Sequence, residues 1–148
     1  VARTARSRAD VQVFAEIGVI GQLARNRVER ALPHGLSQAQ FDVLVHLARH
    51  GREENPAALA AAFQLTKGAI TNTLQRLQGQ GYVRVAGDKA DGRRKRVALT
   101  AAGQAAMNTA ILATRPLMEE MRTRFDEADF EDALPFLSAL RAWLDENR

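Results

Sequence analysis

The stretch Gln64–Thr100, QLTKGAITNTLQRLQGQGYVRVAGDKADGRRKRVALT, constrains the fold of this 148-residue chain more than any other. Thr66 is a helix N-cap residue, and Ile70, Leu74 and Leu77 recur at the spacing of one apolar helical face. At about 100° per residue, Gly68, Asn72, Gln75, Arg76 and Gly79 fall roughly opposite that face, with Lys67 and Thr71 beside them. The outward face is therefore polar or bare, and its only charges are positive. The helix is expected to end near Gly79 and Gly81, because glycine accepts the left-handed angle of helix exits.

Tyr82–Val85 and Arg96–Leu99 mix polar with β-favouring residues and read as two strands of a hairpin. Gly87, Asp88, Asp91 and Gly92 supply the turn chemistry, with Asp88 and Asp91 expected to stabilise the tip by pairing with Arg93 or Arg94. A polar helix followed at once by a basic hairpin suits duplex DNA: the helix enters a major groove while the hairpin reaches phosphates. The expected contacts are Thr66, Lys67, Gly68, Thr71, Asn72, Gln75, Arg76, Arg93, Arg94 and Lys95.

The flanking sequence is helical. Val11, Phe14, Ile17, Ile20, Leu23 and Val28 define a first helix over 10–32, ended by Pro33 and Gly35. Ser37–Gln40 has capping-box spacing and opens a second helix that stops before Gly51. Asn55 and Pro56 start a short third helix to Phe63, whose Ala58, Ala61 and Ala62 would let the central helix approach closely. Thr100 caps a fifth helix with Ala105, Met107, Ile111, Leu117, Met118 and Met121 apolar, and a sixth begins at Asp126 or Asp129. Pro116 is expected to kink the fifth, and Pro135 to bend or restart the sixth.

The first, fifth and sixth helices are more apolar than a small winged core can cover, so a second copy of the chain is the expected partner. Two-fold pairing would set two central helices about 34 Å apart, one DNA turn. The whole chain thus reads as a single domain, 1–148, mainly α (α+β). Within it, 37–100 forms a winged helix-turn-helix, and 10–32 and 101–148 are long N- and C-terminal dimerisation helices.

Composition excludes several functions. With no cysteine, disulfides, thiolate metal sites and thiol sensing are ruled out. Net charge is only +4, but bases concentrate in 66–100 while acids dominate after Leu117, so one part of the chain is built to meet an anion. No apolar run approaches the roughly 20 residues of a membrane span, and Val1–Arg6 lacks the apolar core of a secretory signal; a cytoplasmic location is expected, with no membrane partner. His46 and His50 stand four apart with His34 nearby, yet without strong ligand partners no metal is expected. No phosphate loop, nucleophile with a base or paired carboxylates points to an enzyme, and no cofactor is expected. A helical interaction adaptor without sequence-specific DNA binding is the alternative reading.

The element order, Ala69-Ile70-Thr71 and the run Asp88–Thr100 with Gly103 together resemble the MarR family of winged helix-turn-helix transcriptional regulators, over nearly the whole chain. The resemblance implies a homodimer formed through the terminal helices, the helix from Thr66 in the major groove, and the wing arginine near the minor groove. It further implies a repressor of an inverted-repeat operator, released by a small aromatic or lipophilic acid. Such an effector would sit where the dimerisation helices meet the winged core, with Phe14, Ile17, Phe41, His46, Met107 and Ile111 as candidate lining. Where many relatives carry an arginine in the recognition helix, this chain has Asn72 and Thr73, and Asn72 favours adenine.

Overall fold

The computed structural model describes residues 8–87, 90 and 93–147. Asp88, Asp91 and Gly92, assigned to the wing tip, lie outside the described residues. Nine elements follow one another: α1 (Ala9–Ala31), α2 (Gln38–Arg49), β1 (Glu53–Glu54), α3 (Pro56–Ala62), α4 (Lys67–Gly79), β2 (Val83–Gly87), β3 (Lys95–Leu99), α5 (Ala101–Arg122) and α6 (Glu127–Glu146). They divide into two compact units, Val1–Thr114 and Arg115–Arg148.

Helix starts follow local chemistry. Ser37 and Gln40 close a reciprocal capping box, Asn55 Oδ1 accepts from the Ala58 N–H at 2.7 Å with Pro56 in the first turn, and Thr66 Oγ1 accepts from the Ala69 N–H at 3.2 Å. At the start of α6, the Asp126 N–H donates to Asp129 Oδ2. The exit of α4 is carried by Gly81, at φ 75°, while Gly79 remains inside the helix.

The core of the first unit joins Val43, Leu44 and Leu47 of α2, Leu59 of α3, Ile70, Leu74 and Leu77 of α4, Val83, Val97 and Leu99 of the strands, and Met107 and Ala110 of α5. Several expectations need correction. Ala61 and Ala62 are exposed or only partly covered outside the core; Leu59 is buried and Ala60 packs against the core instead. Ala105 is exposed, so α5 turns Gly103, Met107 and Ala110 inward. Pro116 and Pro135 both lie within uninterrupted helices, so neither ends or restarts its helix. Tyr82 precedes the hairpin, and β2 runs on to Gly87.

The sheet has three strands, in the order β1-β3-β2, all antiparallel. Its third member, β1, places Glu53 opposite Ala98 and Glu54 opposite Val97. Leu99 N–H donates to the Arg52 carbonyl at 2.9 Å, continuing that edge into the turn after α2.

Thr100 locks the wing base to α4 and α5. Its hydroxyl donates to the Gly81 carbonyl at 2.6 Å and accepts from the Gly103 N–H at 3.0 Å, while its N–H donates to the Tyr82 carbonyl at 3.1 Å. A Cβ on Gly103 would meet the Tyr82 carbonyl oxygen at 2.0 Å and Leu99 Cδ1 at 2.9 Å. Gly103→Ala should therefore cost about 1–3 kcal/mol or block folding, through backbone displacement. Gly79→Ala, where a Cβ meets nothing within 4 Å, should stabilise by up to about 1 kcal/mol. Urea unfolding midpoints of the two variants should move in opposite directions.

Candidate nucleic-acid interface

Burial commits one face of α4 and frees the other. Ile70, Leu74 and Leu77 are at most 5% exposed, whereas Lys67, Gly68, Thr71, Asn72, Gln75 and Arg76 all face solvent. The Thr71 hydroxyl donates to the Lys67 carbonyl at 2.7 Å, so its oxygen lone pairs and methyl are what it can offer outward. Asn72 and Gln75 make no side-chain hydrogen bond among the described residues, leaving both amides available to a partner.

Between α3, α4 and the wing lies an open cleft of about 950 Å³. Pro56, Ala60, Ile70, Leu74 and Val85 form its apolar part; Lys67, Thr71, Gln75, Gln78, Arg93, Arg94 and Lys95 supply polar groups. Four cations thus share one concavity, and no carboxylate is among the described residues that line it. Such a wall concentrates positive potential. Of the residues predicted to contact DNA, the cleft gathers Lys67, Thr71, Gln75, Arg93, Arg94 and Lys95; Thr66, Gly68, Asn72 and Arg76 lie outside its lining.

The next basic residue has another task. Arg96 Nε and Nη2 each lie 3.0 Å from Glu53 Oε2, bridging β3 to β1 at the base of the wing. Both side chains are about half exposed, which limits the pair's worth to about 1 kcal/mol or less, but it fixes the direction in which the arginine leaves the strand. Sequence reasoning missed this pairing because a two-residue strand has no periodicity to read.

The six residues considered for an effector do not frame this cleft. Phe14 and Ile111 are exposed, Met107 is buried in the core, and Phe41 packs against that core partly buried. His46 stacks on His50, ring centroids 4.2 Å apart, and meets Phe63 edge-on at 5.4 Å. His50 Nδ1 donates to the His46 carbonyl at 2.9 Å. Among the described residues, no group of three or more metal-ligating side chains could hold an ion.

A sequence model of the MarR family matches residues 34–94, which take in α2, β1, α3, α4 and β2. Among solved structures, the transcriptional regulator BldR from Sulfolobus solfataricus is similar, with a TM-score of 0.80, 24% identity, and coverage of 90% of this chain and 94% of that one. A mutant form of MarR from E. coli, complexed with operator DNA, gives 0.78 at 22% identity, covering 90% and 99%. BpsR from Bordetella bronchiseptica gives 0.77 at 21%, covering 88% and 98%. No curated protein matches. The structural likenesses show the fold, a winged helix that is mostly helical with a small antiparallel sheet.

Burial and the neighbouring His50 lower the pKa of His46 below its ordinary 6.5, with Glu54 opposing them more weakly. Folding thus disfavours the protonated form of this histidine, and the unfolded chain takes up its proton first as pH falls. Stability should therefore decline as pH drops through about 6.5 and stop declining below the lowered folded value. Thermal melts of His46→Gln between about pH 7.5 and 5 should show a shallower decline than the parent.

Proposed function

We propose that this chain is a homodimeric repressor that binds an inverted-repeat operator through α4 and the wing, and that a small aromatic acid releases it. The observation that carries the reading is the cleft with Lys67, Arg93, Arg94 and Lys95 on its walls, beside an α4 face whose Asn72 and Gln75 amides have no partner among the described residues. Cations in that position neutralise phosphates and set the register, while exposed amides on the adjoining helix discriminate bases. The E. coli MarR structure with operator DNA supports this reading by the likeness of fold.

Homodimerisation is supported by the terminal helices. Neither α1 nor α6 buries a single described residue in the isolated chain, and Phe14, Ile20, Leu23, Leu134, Phe136 and Trp143 are each more than half exposed. Covering such side chains contributes about 1.5–3 kcal/mol each when burial is complete. A second copy presents the same faces and gives a closed, two-fold assembly.

An effector among Phe14, Ile17, Phe41, His46, Met107 and Ile111 would have to displace Met107, which is buried in the core, and Phe41, which packs against it, whereas the cleft beside α4 is already open. We therefore place an aromatic carboxylate in the cleft, its ring on the partly exposed Pro56, Ala60 and Val85 and its charge on the wing cations. BpsR, whose DNA binding is regulated by 6-hydroxynicotinic acid, provides the precedent for this ligand class.

Arg93→Ala should weaken binding to operator and unrelated duplex alike and reduce the salt slope by about 1, as read by fluorescence anisotropy across a salt series. Asn72→Ala should instead cost about 1–3 kcal/mol on the operator and far less on random DNA. A protein-interaction adaptor would show neither effect, because the parent would bind duplex weakly and without preference. Combining Leu137→Glu with Leu144→Glu on α6 should yield a monomer by light scattering and lower operator affinity at least tenfold, about 1.4 kcal/mol.

A further inference from the structure

A directed chain of amide hydrogen bonds ties the end of α4 to the corner between α1 and α2. The Ser37 N–H donates to Gln40 Oε1 at 2.7 Å, Gln40 Nε2 donates to Gln80 Oε1 at 3.1 Å, and Gln80 Nε2 donates to the Gly35 carbonyl. Gln40 is only 4% exposed, and its own N–H returns to Ser37 Oγ at 3.3 Å. Each amide has one orientation that satisfies its neighbours, so the relay reads in a single direction from Ser37 to Gly35. Gly35 stands at φ 86° in the turn that the Leu36 N–H closes onto the Pro33 carbonyl. That left-handed geometry favours glycine and fixes the local backbone that carries the accepting carbonyl.

We infer that Gln80 is a positioning residue for DNA recognition: it sets the angle of α4 against α2 and the α1–α2 corner without touching DNA itself. The inference rests on the DNA-binding reading and adds a determinant at the opposite end of α4 from Lys67, Gly68 and Thr71. Helix α4 has 13 residues and is therefore about 20 Å long. At its N-terminus it is held by the Thr66 cap and packing on α3; just beyond its C-terminus Gln80 supplies a lateral side-chain tether toward α2, beside the Thr100 hydroxyl bond to Gly81. A lever of that length converts a few degrees at one end into a displacement of more than an ångström at the other. Base-edge hydrogen bonds tolerate little such error, whereas phosphate contacts made by flexible lysine and arginine side chains tolerate more. Loosening the tether therefore lowers discrimination more than affinity.

The absence of cysteine allows a clean test. Gln80→Leu removes both bonds, and Gln80→Glu keeps the side-chain length while replacing the donor to Gly35 by a second acceptor. Each variant is compared with the parent for melting temperature, for binding to operator and random duplex, and for the α1–α4 distance distribution. The distance is read by pulsed electron spin resonance with labels at Arg25→Cys and Gln78→Cys, labelled chains being diluted into unlabelled protein. The expected result is a melting point within about 3 °C of the parent, unchanged binding to random duplex, a loss of at least about fivefold in the operator-to-random ratio, and a broadened distance distribution. An unchanged ratio with an unchanged distribution overturns the inference, as does a parallel loss on both DNAs accompanied by a large drop in melting temperature. If the parent itself shows no operator preference, the DNA-binding reading fails and the assignment to recognition is overturned with it, while the DNA-free distances separately report whether Gln80 holds α4.

Discussion

The contact between the first turn of α5 and the Tyr82 carbonyl is where three parts of the molecule meet. Gly103 leaves no Cβ in a space where one would lie 2.0 Å from that oxygen, and Thr100 bonds to both sides of the junction. The exit of α4, the base of the wing and the start of α5 are consequently held within one turn of backbone. A side chain at 103 would push α5 away, and with it Met107 and Ala110, which close the core beneath α4. The wing base and recognition helix therefore take their relative position from a glycine that contacts neither the cleft nor the outward face of α4.

That junction explains why α4 can carry so polar an outer surface. Its hold on the protein comes from Ile70, Leu74 and Leu77 and from caps at each end, so Lys67, Asn72, Gln75 and Arg76 need contribute nothing to folding. Stability and recognition are separated by helical phase, with residues three and four apart facing the core and those between them facing out. The wing follows the same division: Val97 is fully buried, Arg96 pairs with Glu53, and Arg93 to Lys95 turn toward the cleft.

How far the sequence discloses this arrangement depends on the range of each interaction. Ser37, Asn55 and Thr66 act on amides three residues away, so their caps are legible in a short window of sequence. The apolar period of α4 is equally local. By contrast, β1 is two residues long and exists only because β3 lies beside it. The Gln40–Gln80 bridge spans forty positions between two residue types that are ordinary on any surface. Ala61 and Ala62 misled through composition: small residues permit close approach, but the phase of a seven-residue helix decides which of them is used, and here Leu59 and Ala60 are. Pro116 and Pro135 lie inside continuous helices, where flanking turns hold a helical path despite the missing donor.

For the effector proposed above, the location follows from what each region would have to give up. Opening a space at Phe41 and Met107 exposes side chains that the core has already covered, so the ligand must offset that loss before it can bias any equilibrium. The cleft beside α4 imposes no such cost, since Pro56, Ala60 and Val85 are already partly exposed there and the cationic wall faces solvent. A carboxylate there would engage the same charges that a phosphate would, making release a matter of direct competition. Such competition needs no second conformation of the protein. It couples effector to DNA most strongly when both cannot occupy the cleft at once, and reciprocity requires bound DNA to weaken the acid by the same factor. An effector at the helix junction would instead require two spacings of the α4 pair, with a differential affinity of about 1.4 kcal/mol for each tenfold change in DNA binding.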